Sequence, residues 1–322
     1  MRNISLDILK VILAFFVFGI HIQLLAQRDP IVGYYLTDGL FRLAVPIFII
    51  INGFYLARAF GTEKLRSVLG RLFSLYALWM LIYAPWWVDL RHPLRTLITA
   101  LFGCYQLWYL PAVFFSALML NVIHRWKTAA AAGLALALFA AGLILQAWVN
   151  LTSAGLPFEE KLFRLCIYRN FLFDGFPFLY AGFLLSRHAE GVRRLLAHGG
   201  AVSAALLALF TLLVGESYLN FRLFGISASN DLLIASLPLG ALLFSLFALK
   251  ISVESRSRVL ASFSGAFYFS HLLCIIVARA LLPALGDPAL KYHLLVSFTG
   301  AAVVSLALVK LKSRYPALPL IP

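Results

Sequence analysis

The chain has 322 residues, of which 62% are hydrophobic and only 12% are charged, and its mean hydropathy is +0.92. A soluble domain carries roughly 25% charged residues, so this composition excludes a water-soluble fold and indicates an all-α, polytopic integral membrane protein. The formal net charge of +14 would often indicate nucleic acid binding, but most lysines and arginines flank one set of ends of the apolar segments. We therefore attribute most of this charge to membrane topology and expect no nucleic acid partner.

The apolar stretches number about ten, each near the roughly 20 residues that a helix needs to cross the hydrocarbon core. The positive-inside rule places both termini in the cytoplasm. The connections are short, so we expect one membrane domain over residues 1–322 and no separate soluble domain. The three cysteines have no disulfide or metal-binding spacing, and no metal site is expected. The approximate limits of the apolar segments are 6–26, 40–57, 72–88, 105–123, 129–149, 168–186, 200–215, 231–249, 263–284 and 291–310.

The first segment carries Asp7, Lys10 and His21 within an otherwise apolar sequence. On a helix, Lys10 and His21 share a face about 16 Å apart along the axis, and Asp7 is close enough to pair with Lys10. Lys10 could simply reach the headgroups, and His21 could be a packing histidine. Intramembrane ionisable residues usually face the bundle interior, however, where a histidine can act as a general base and a lysine can bind phosphate. An acyl-CoA or a lipid-linked sugar pyrophosphate would fit two groups so spaced.

The second and fourth segments add further polar residues at Arg42, Asn52 and Trp108. Pro46 frees the carbonyl of Arg42, and a kink beside a buried arginine favours a cavity wall, although Arg42 could only mark the membrane boundary. Asn52 precedes Gly53, a pair that tight helix packing explains equally well. Trp108 could line the same cavity or anchor the chain at the membrane interface.

The sixth segment opens with Arg169 and Asn170, followed by Asp174. Arg169 could bind a phosphate or carboxylate of a ligand. It could equally pair with a carboxylate close in sequence, namely Asp174, Glu159 or Glu160. The sequence leaves these two interpretations of Arg169 open.

In the ninth segment, Ser264, Tyr268 and His271 stand at positions i, i+4 and i+7 and form one stripe. Such a stripe can be a hydrogen-bonded seam between helices or the polar wall of a cavity. We expect Ser264 to belong to a seam and His271 to face the cavity.

Together these motifs resemble the membrane-bound acyltransferase family 3, the ten-span bacterial O-acyltransferases. Two residues depart from the family pattern, because Lys10 stands where arginine is usual and Asn52 where serine is usual. Lysine keeps the positive charge but loses the planar, bidentate fork of arginine. The matching residues are Leu6-Asp7-Ile8-Leu9-Lys10 and His21; Arg42, Val45-Pro46-Ile47-Phe48 and Asn52-Gly53; Leu107-Trp108-Tyr109-Leu110; Arg169-Asn170, Pro177-Phe178 and Gly182; and Tyr268 with His271.

The resemblance implies transfer of an acyl group, commonly acetyl, from cytoplasmic acyl-CoA to a hydroxyl of a cell-envelope glycan or lipid-linked sugar. It also implies a multi-pass location in the bacterial inner membrane. Acetyl-CoA or another acyl-CoA is then a donor substrate, and no bound cofactor is expected. The catalytic residues implied are His21, as the general base, and Lys10, which would help hold the donor or its phosphates. The substrate-binding residues implied are Asp7, Arg42, Asn52, Trp108, Arg169, Asn170, Tyr268 and His271.

Two other hypotheses remain open at the level of sequence. A transporter or exporter of a polysaccharide or lipid-linked sugar would also need a polar cavity at the membrane midplane. Carriers often show repeated halves, and we find no matched pair of motifs. An inactive, scaffolding relative is the third hypothesis, since Lys10 replaces the usual arginine.

Overall fold

A computed structural model describes residues 2–26, 28–226, 228–255, 257–282, 292–315 and 321. Helices dominate the described residues, which confirms the helical membrane fold class expected from the composition. The α-helices are α1 Ile4–Ile22, α2 Pro30–Thr37, α3 Ala44–Leu56, α4 Glu63–Ile82, α5 Ala84–Trp87, α6 Pro93–Phe102, α7 Tyr109–Ile123, α8 Thr128–Thr152, α9 Phe158–Arg164, α10 Phe176–Arg187, α11 Ala189–Ala197, α12 Gly199–Phe224, α13 Ser236–Ser245, α14 Val259–Leu281 and α15 His293–Arg314.

Shorter elements connect or extend these helices. Three are 3-10 turns and two are π turns, and a pair of two-residue strands joins the start of the chain to the connection before α14. The 3-10 turns are Leu40–Leu43, Tyr105–Trp108 and Leu165–Ile167; the π turns are Phe171–Gly175 and Leu246–Lys250; and the antiparallel strands are β1 Arg2–Asn3 and β2 Glu254–Ser255.

Within the described residues, eight helical segments are long and apolar enough to cross a membrane. The expectation was about ten. The sixth and eighth predicted segments are each built from a helix of ordinary length joined to a π turn, namely α10 after Phe171–Gly175 and α13 before Leu246–Lys250. Composition and length make the protein multi-pass. The location of both termini in the cytoplasm stays a prediction, and the segment expected at 291–310 begins outside the described residues.

The second predicted segment is irregular at its start. Arg42 lies in the 3-10 turn Leu40–Leu43, and α3 begins at Ala44. Pro46 therefore falls in the first turn of α3, where a missing N–H is best tolerated. The irregular backbone expected around Arg42 is the 3-10 turn itself.

Helices α3 and α10 approach each other backbone to backbone. A Cβ atom built on Gly53 would lie 2.0 Å from the carbonyl oxygen of Leu179, and one on Gly182 would lie 2.1 Å from that of Ile50. No side chain fits at such a distance, so both glycines permit this contact. The close packing holds Arg42 and Arg169, which precede α3 and α10, on the same end of the bundle.

Candidate active site

Asp231 joins the two arginines that sequence analysis selected. Arg42 donates from Nη1 to Oδ1 of Asp231 and from Nη2 to Asp38 at 2.5 Å. Arg169 donates to Oδ2 of Asp231 from Nη2 at 2.5 Å and from Nε at 3.0 Å, and the Tyr168 hydroxyl donates to the same oxygen at 3.0 Å. The side chain of Asp231 is only 8% exposed. Buried charges are tolerated when they are paired in this way, and we call Asp38, Arg42, Arg169 and Asp231 the arginine–aspartate cluster.

The partner of Arg169 is distant in sequence. Asp174, Glu159 and Glu160 were the carboxylates considered for it, whereas the structure pairs it with Asp231. Asp231 was missed because its role depends on a contact across 62 positions of the chain. The sequence did contain a sign of its importance, because Asp231 is an isolated acidic residue at the start of the eighth apolar segment.

A rigid connection before α13 positions Asp231. Gln146 accepts a hydrogen bond from the backbone N–H of Leu232 and donates one to its carbonyl, both at 2.8 Å. Glu216 accepts from two N–H groups just before α13, those of Ile234 at 2.7 Å and Ala235 at 3.2 Å. Polar side chains of α8 and α12 thus hold the connection in place by hydrogen bonds to its backbone.

His21 and His271 lie side by side at the same end of the bundle. Their ring centroids are 5.3 Å apart, and Phe41, which precedes Arg42, packs against Gly19, two residues before His21. His271 is fully buried, and its Nδ1 lies 3.1 Å from the carbonyl oxygen of Phe267. That geometry assigns the proton to Nδ1 and leaves Nε2 as an acceptor, which has no hydrogen-bond partner among the described residues. His21 therefore faces the bundle interior, next to an imidazole with a free acceptor.

Aromatic and polar side chains continue from the histidine pair toward Asn52. The ring of Tyr268 lies 6.2 Å from that of His271 and 5.7 Å from that of Tyr109. The amide of Asn52 donates to the hydroxyl of Tyr109, and the hydroxyl of Tyr268 donates to the carbonyl of Gln106 at 2.7 Å. Ser264, by contrast, bonds the backbone of its own helix at Ala261.

Trp108 and Asn170 take different positions beside Arg169. The guanidinium carbon of Arg169 lies 5.7 Å from the Trp108 ring, which is 8% exposed. Trp108 thus packs inside the bundle under a cation. The Asn170 amide serves the backbone: it donates to the carbonyls of residues 166 and 167 and accepts from the N–H groups of residues 172 and 173. Asn170 caps the π turn Phe171–Gly175, and its role toward a substrate stays a prediction.

Asp7 and Lys10 lie toward the opposite end of α1. Their side chains are 3.5 Å apart, and both are largely buried. The Lys10 amine also lies 5.9 Å from the ring centroid of Tyr55. The structure thus places Arg42, Trp108, Arg169, Tyr268 and His271 toward the end of the bundle that holds His21. Asp7 and Lys10 lie at the other end, with Lys10 about 16 Å from His21 along the helix axis.

A family model described as an acyltransferase domain matches residues 3–312, nearly the whole chain. The chain belongs to this acyltransferase family. The resemblance found in the sequence is thereby confirmed, and the chain is a multi-pass, helical member of this family.

Two curated relatives of the chain carry racemase names. A serine/alanine racemase of Enterococcus gallinarum is 28% identical over 239 residues, which cover 68% of this chain and 34% of that protein. An amino-acid racemase of Enterococcus faecalis is 22% identical over 318 residues, which cover 92% of this chain and 44% of that protein. The chain therefore spans less than half the length of either relative. No solved structure matches it.

Proposed function

We propose that this acyltransferase moves an acyl group, commonly acetyl, from acyl-CoA to a hydroxyl of a cell-envelope glycan or lipid-linked sugar in the bacterial inner membrane. The observation that carries the proposal is the pair formed by His21 and His271, whose rings lie 5.3 Å apart at the end of the bundle where Phe41 and Arg42 meet α1. Family membership supports an acyltransferase. The donor, the acceptor and the catalytic roles are our inference from the residues.

In the proposed reaction His21 acts as the general base. Its imidazole accepts the proton of the acceptor hydroxyl while the hydroxyl oxygen attacks the carbonyl carbon of the thioester. The C–O bond forms, the C–S bond breaks, and the thiolate of CoA leaves. The imidazolium then returns the proton to the sulfur, so the products are the ester and the free thiol of CoA.

The neighbours of His21 supply orientation and charge. The buried Nε2 of His271, which has no hydrogen-bond partner among the described residues, places an acceptor beside the His21 ring. The guanidinium groups of Arg42 and Arg169 place positive charge where an oxyanion develops on the thioester carbonyl. Because Asp231 holds both arginines, they need little reorganisation during the reaction.

The decisive experiment replaces His21 by Ala in the purified enzyme. We expect release of CoA from acetyl-CoA, measured in the presence of envelope glycan, to fall at least about a hundredfold, as loss of a general base does. The matched control is His198→Ala, because His198 is exposed on the connection between α11 and α12. Size-exclusion profiles and thermal midpoints should match for all three proteins.

A second measurement separates this enzyme from a carrier. Mass spectrometry of surface glycans should show one acyl group fewer in cells that carry the His21→Ala variant than in cells with the wild-type chain. Undiminished CoA release by the variant would refute His21 as the base. Glycan translocation into vesicles with no change of glycan mass would instead favour a transporter.

A further inference from the structure

A basic cavity lies at the Lys10 end of the bundle, where α3, α10, α11 and the π turn Leu246–Lys250 meet. Its volume is about 730 Å³, well within the range of small-ligand pockets. The ionisable side chains in its wall are Arg58, Arg187, His188, Glu190, Arg193 and Arg194. We call this the basic cavity.

Four arginines face a single carboxylate in this wall. Glu190 pairs with Arg193 one turn along α11, so it offsets only one of the cations. Arg187 is held in place by Phe183, with 5.3 Å between the guanidinium carbon and the ring centroid. The surplus of positive charge favours binding of an anion, and the planar guanidinium group can form two parallel hydrogen bonds to a phosphate.

The basic cavity adjoins Lys10. Tyr55 forms part of the cavity wall, and its ring lies 5.9 Å from the Lys10 amine. Asn52 stands three residues before Tyr55, on the same face of α3. The basic cavity therefore borders the end of α1 where sequence analysis expected the donor to be held.

From Asn52 a series of side-chain contacts leads to the histidine pair. Asn52 bonds the Tyr109 hydroxyl, the Tyr109 ring lies 5.7 Å from that of Tyr268, and the Tyr268 ring lies 6.2 Å from that of His271. His271 in turn adjoins His21. These contacts connect the two ends of the bundle. A ligand with phosphates at one end and a reactive group on a long, flexible arm would match the separation of Lys10 and His21, about 16 Å along α1.

We propose that the basic cavity binds the phosphates of the acyl-CoA nucleotide, so that the acylated arm extends past Lys10 toward His21. This inference rests on the proposed function, because it takes acyl-CoA as the donor. It assigns recognition of the nucleotide to Arg58, Arg187, Arg193 and Arg194, which lie outside every motif used to recognise the family. An anionic phospholipid presents the same phosphate chemistry, so the experiment must distinguish the two sources.

The test measures CoA binding to the full-length protein in detergent by calorimetry. Two double variants, Arg193→Gln with Arg194→Gln and Arg58→Gln with Arg187→Gln, should each weaken CoA binding about tenfold, the loss expected for a charged hydrogen bond to phosphate. The wild-type protein should prefer CoA to dephospho-CoA, which lacks one phosphate, and the variants should lose that preference. In turnover, the KM for acetyl-CoA should rise while kcat stays within about twofold, since the removed contacts lie remote from the reacting atoms.

Arg125→Gln provides the matched control. Arg125 is exposed in the connection between α7 and α8, next to His124, which adjoins Gly61 after α3. It therefore lies at the same end of the bundle but outside the cavity wall. This variant should bind CoA as the wild type does. All of the substituted arginines are exposed, so the double variants should fold, and the charge-conserving Arg194→Lys should give an intermediate affinity.

Three results would overturn the inference and can be told apart. If the double variants bind CoA as tightly as Arg125→Gln while wild-type transfer persists, the nucleotide binds elsewhere and the proposed function stands. If native mass spectrometry shows that the variants lose bound phosphatidylglycerol but keep CoA, the basic cavity is a lipid site. If the wild-type protein neither binds CoA nor consumes acetyl-CoA, the proposed donor itself is wrong.

Discussion

Two groups of helices in this protein are equally apolar but differ in what surrounds them. The most apolar stretches of α1 and α14 have hydropathies of 2.0 and 1.8, and half of their residues are buried. Those of α8, α12 and α15 have hydropathies of 2.2, 1.8 and 2.1, yet only 22%, 17% and 17% of their residues are buried. Hydropathy finds the helices that cross a membrane but does not tell the enclosed ones from those that face lipid.

The placement of ionisable residues separates the two groups. The enclosed α1 and α14 carry Lys10, His21 and His271. The outer helices carry few polar groups in their apolar stretches, and two of these, Gln146 and Glu216, point inward to the connection that holds Asp231. Because a charge that faces lipid is costly, the positions of the ionisable residues indicate which helix faces are enclosed by protein.

Among substitutions in the enclosed part of the bundle, replacement of Asp231 should have the largest effect on stability and activity. Asp231→Asn keeps the shape of the side chain but leaves Arg42 and Arg169 without their shared counter-charge. An uncompensated buried charge costs about 3–5 kcal/mol. We expect the thermal midpoint to fall by many degrees and acyl transfer to fall more than about a hundredfold.

The control for this prediction is Asp89→Asn. Asp89 is well exposed and pairs with His92 in the connection between α5 and α6. Its replacement should change neither quantity measurably, since exposed ion pairs contribute little. An Asp231→Asn protein as stable and active as Asp89→Asn would mean that the two arginines need no shared carboxylate.

A pair of glycine substitutions probes the same contrast at the backbone. Gly53→Ala should destabilise the protein by about 1–3 kcal/mol, as overpacking does, because the new methyl group would collide with the carbonyl of Leu179. Gly133→Ala, on the outer helix α8, has no atom within 4 Å of the new methyl group. It should leave the thermal midpoint unchanged or raise it slightly, since alanine favours a helix.

The two thermal midpoints, measured in the same detergent, check this prediction. Equal midpoints for the Gly53 and Gly133 variants would show that α3 and α10 can separate without cost. Activity provides a second readout, because movement of α3 relative to α10 would also shift Arg42 relative to Arg169.

Substitution of Lys10 should have the smallest effect. It tests whether this end of the bundle binds the donor or takes part in the chemical step. Lys10→Gln removes one positive charge beside the basic cavity, and we expect the KM for acetyl-CoA to rise about fivefold with kcat nearly unchanged. Lys10→Arg keeps the charge and should hold the KM near the wild-type value. A fall in kcat with constant KM in Lys10→Gln would place Lys10 in the chemical step instead.

Much of this architecture was predictable because membrane spans and intramembrane charges are local signals. Arg42 and Arg169 were found as isolated cations in apolar segments, and the structure brings them to one carboxylate. Their partner Asp231 could not be paired with them from spacing, because that contact depends on how distant helices pack. The nearby candidate, Asp174, instead lies buried with one carboxylate oxygen unpartnered among the described residues.

Local backbone geometry limited the sequence interpretation in a different way. Asn170 was selected as a ligand residue, yet its amide is fully occupied by four backbone groups around the π turn. The arginines of the basic cavity were counted only as topology signals, since their convergence requires the bend between α10 and α11. Asparagine and arginine each have several common roles, such as capping a helix or flanking a membrane span. Sequence spacing alone therefore cannot show which role such a side chain has.

The π turn Phe171–Gly175 has a consequence for how relatives of this chain should be aligned. A π turn holds one residue more than an α turn, and Asn170, which caps it, has an extended backbone. Arg169 therefore reaches Asp231 from outside the helical pattern that α10 sets. In a relative, the arginine that corresponds to Arg169 must be aligned through the capping asparagine, because helix periodicity counted back from α10 does not give its position.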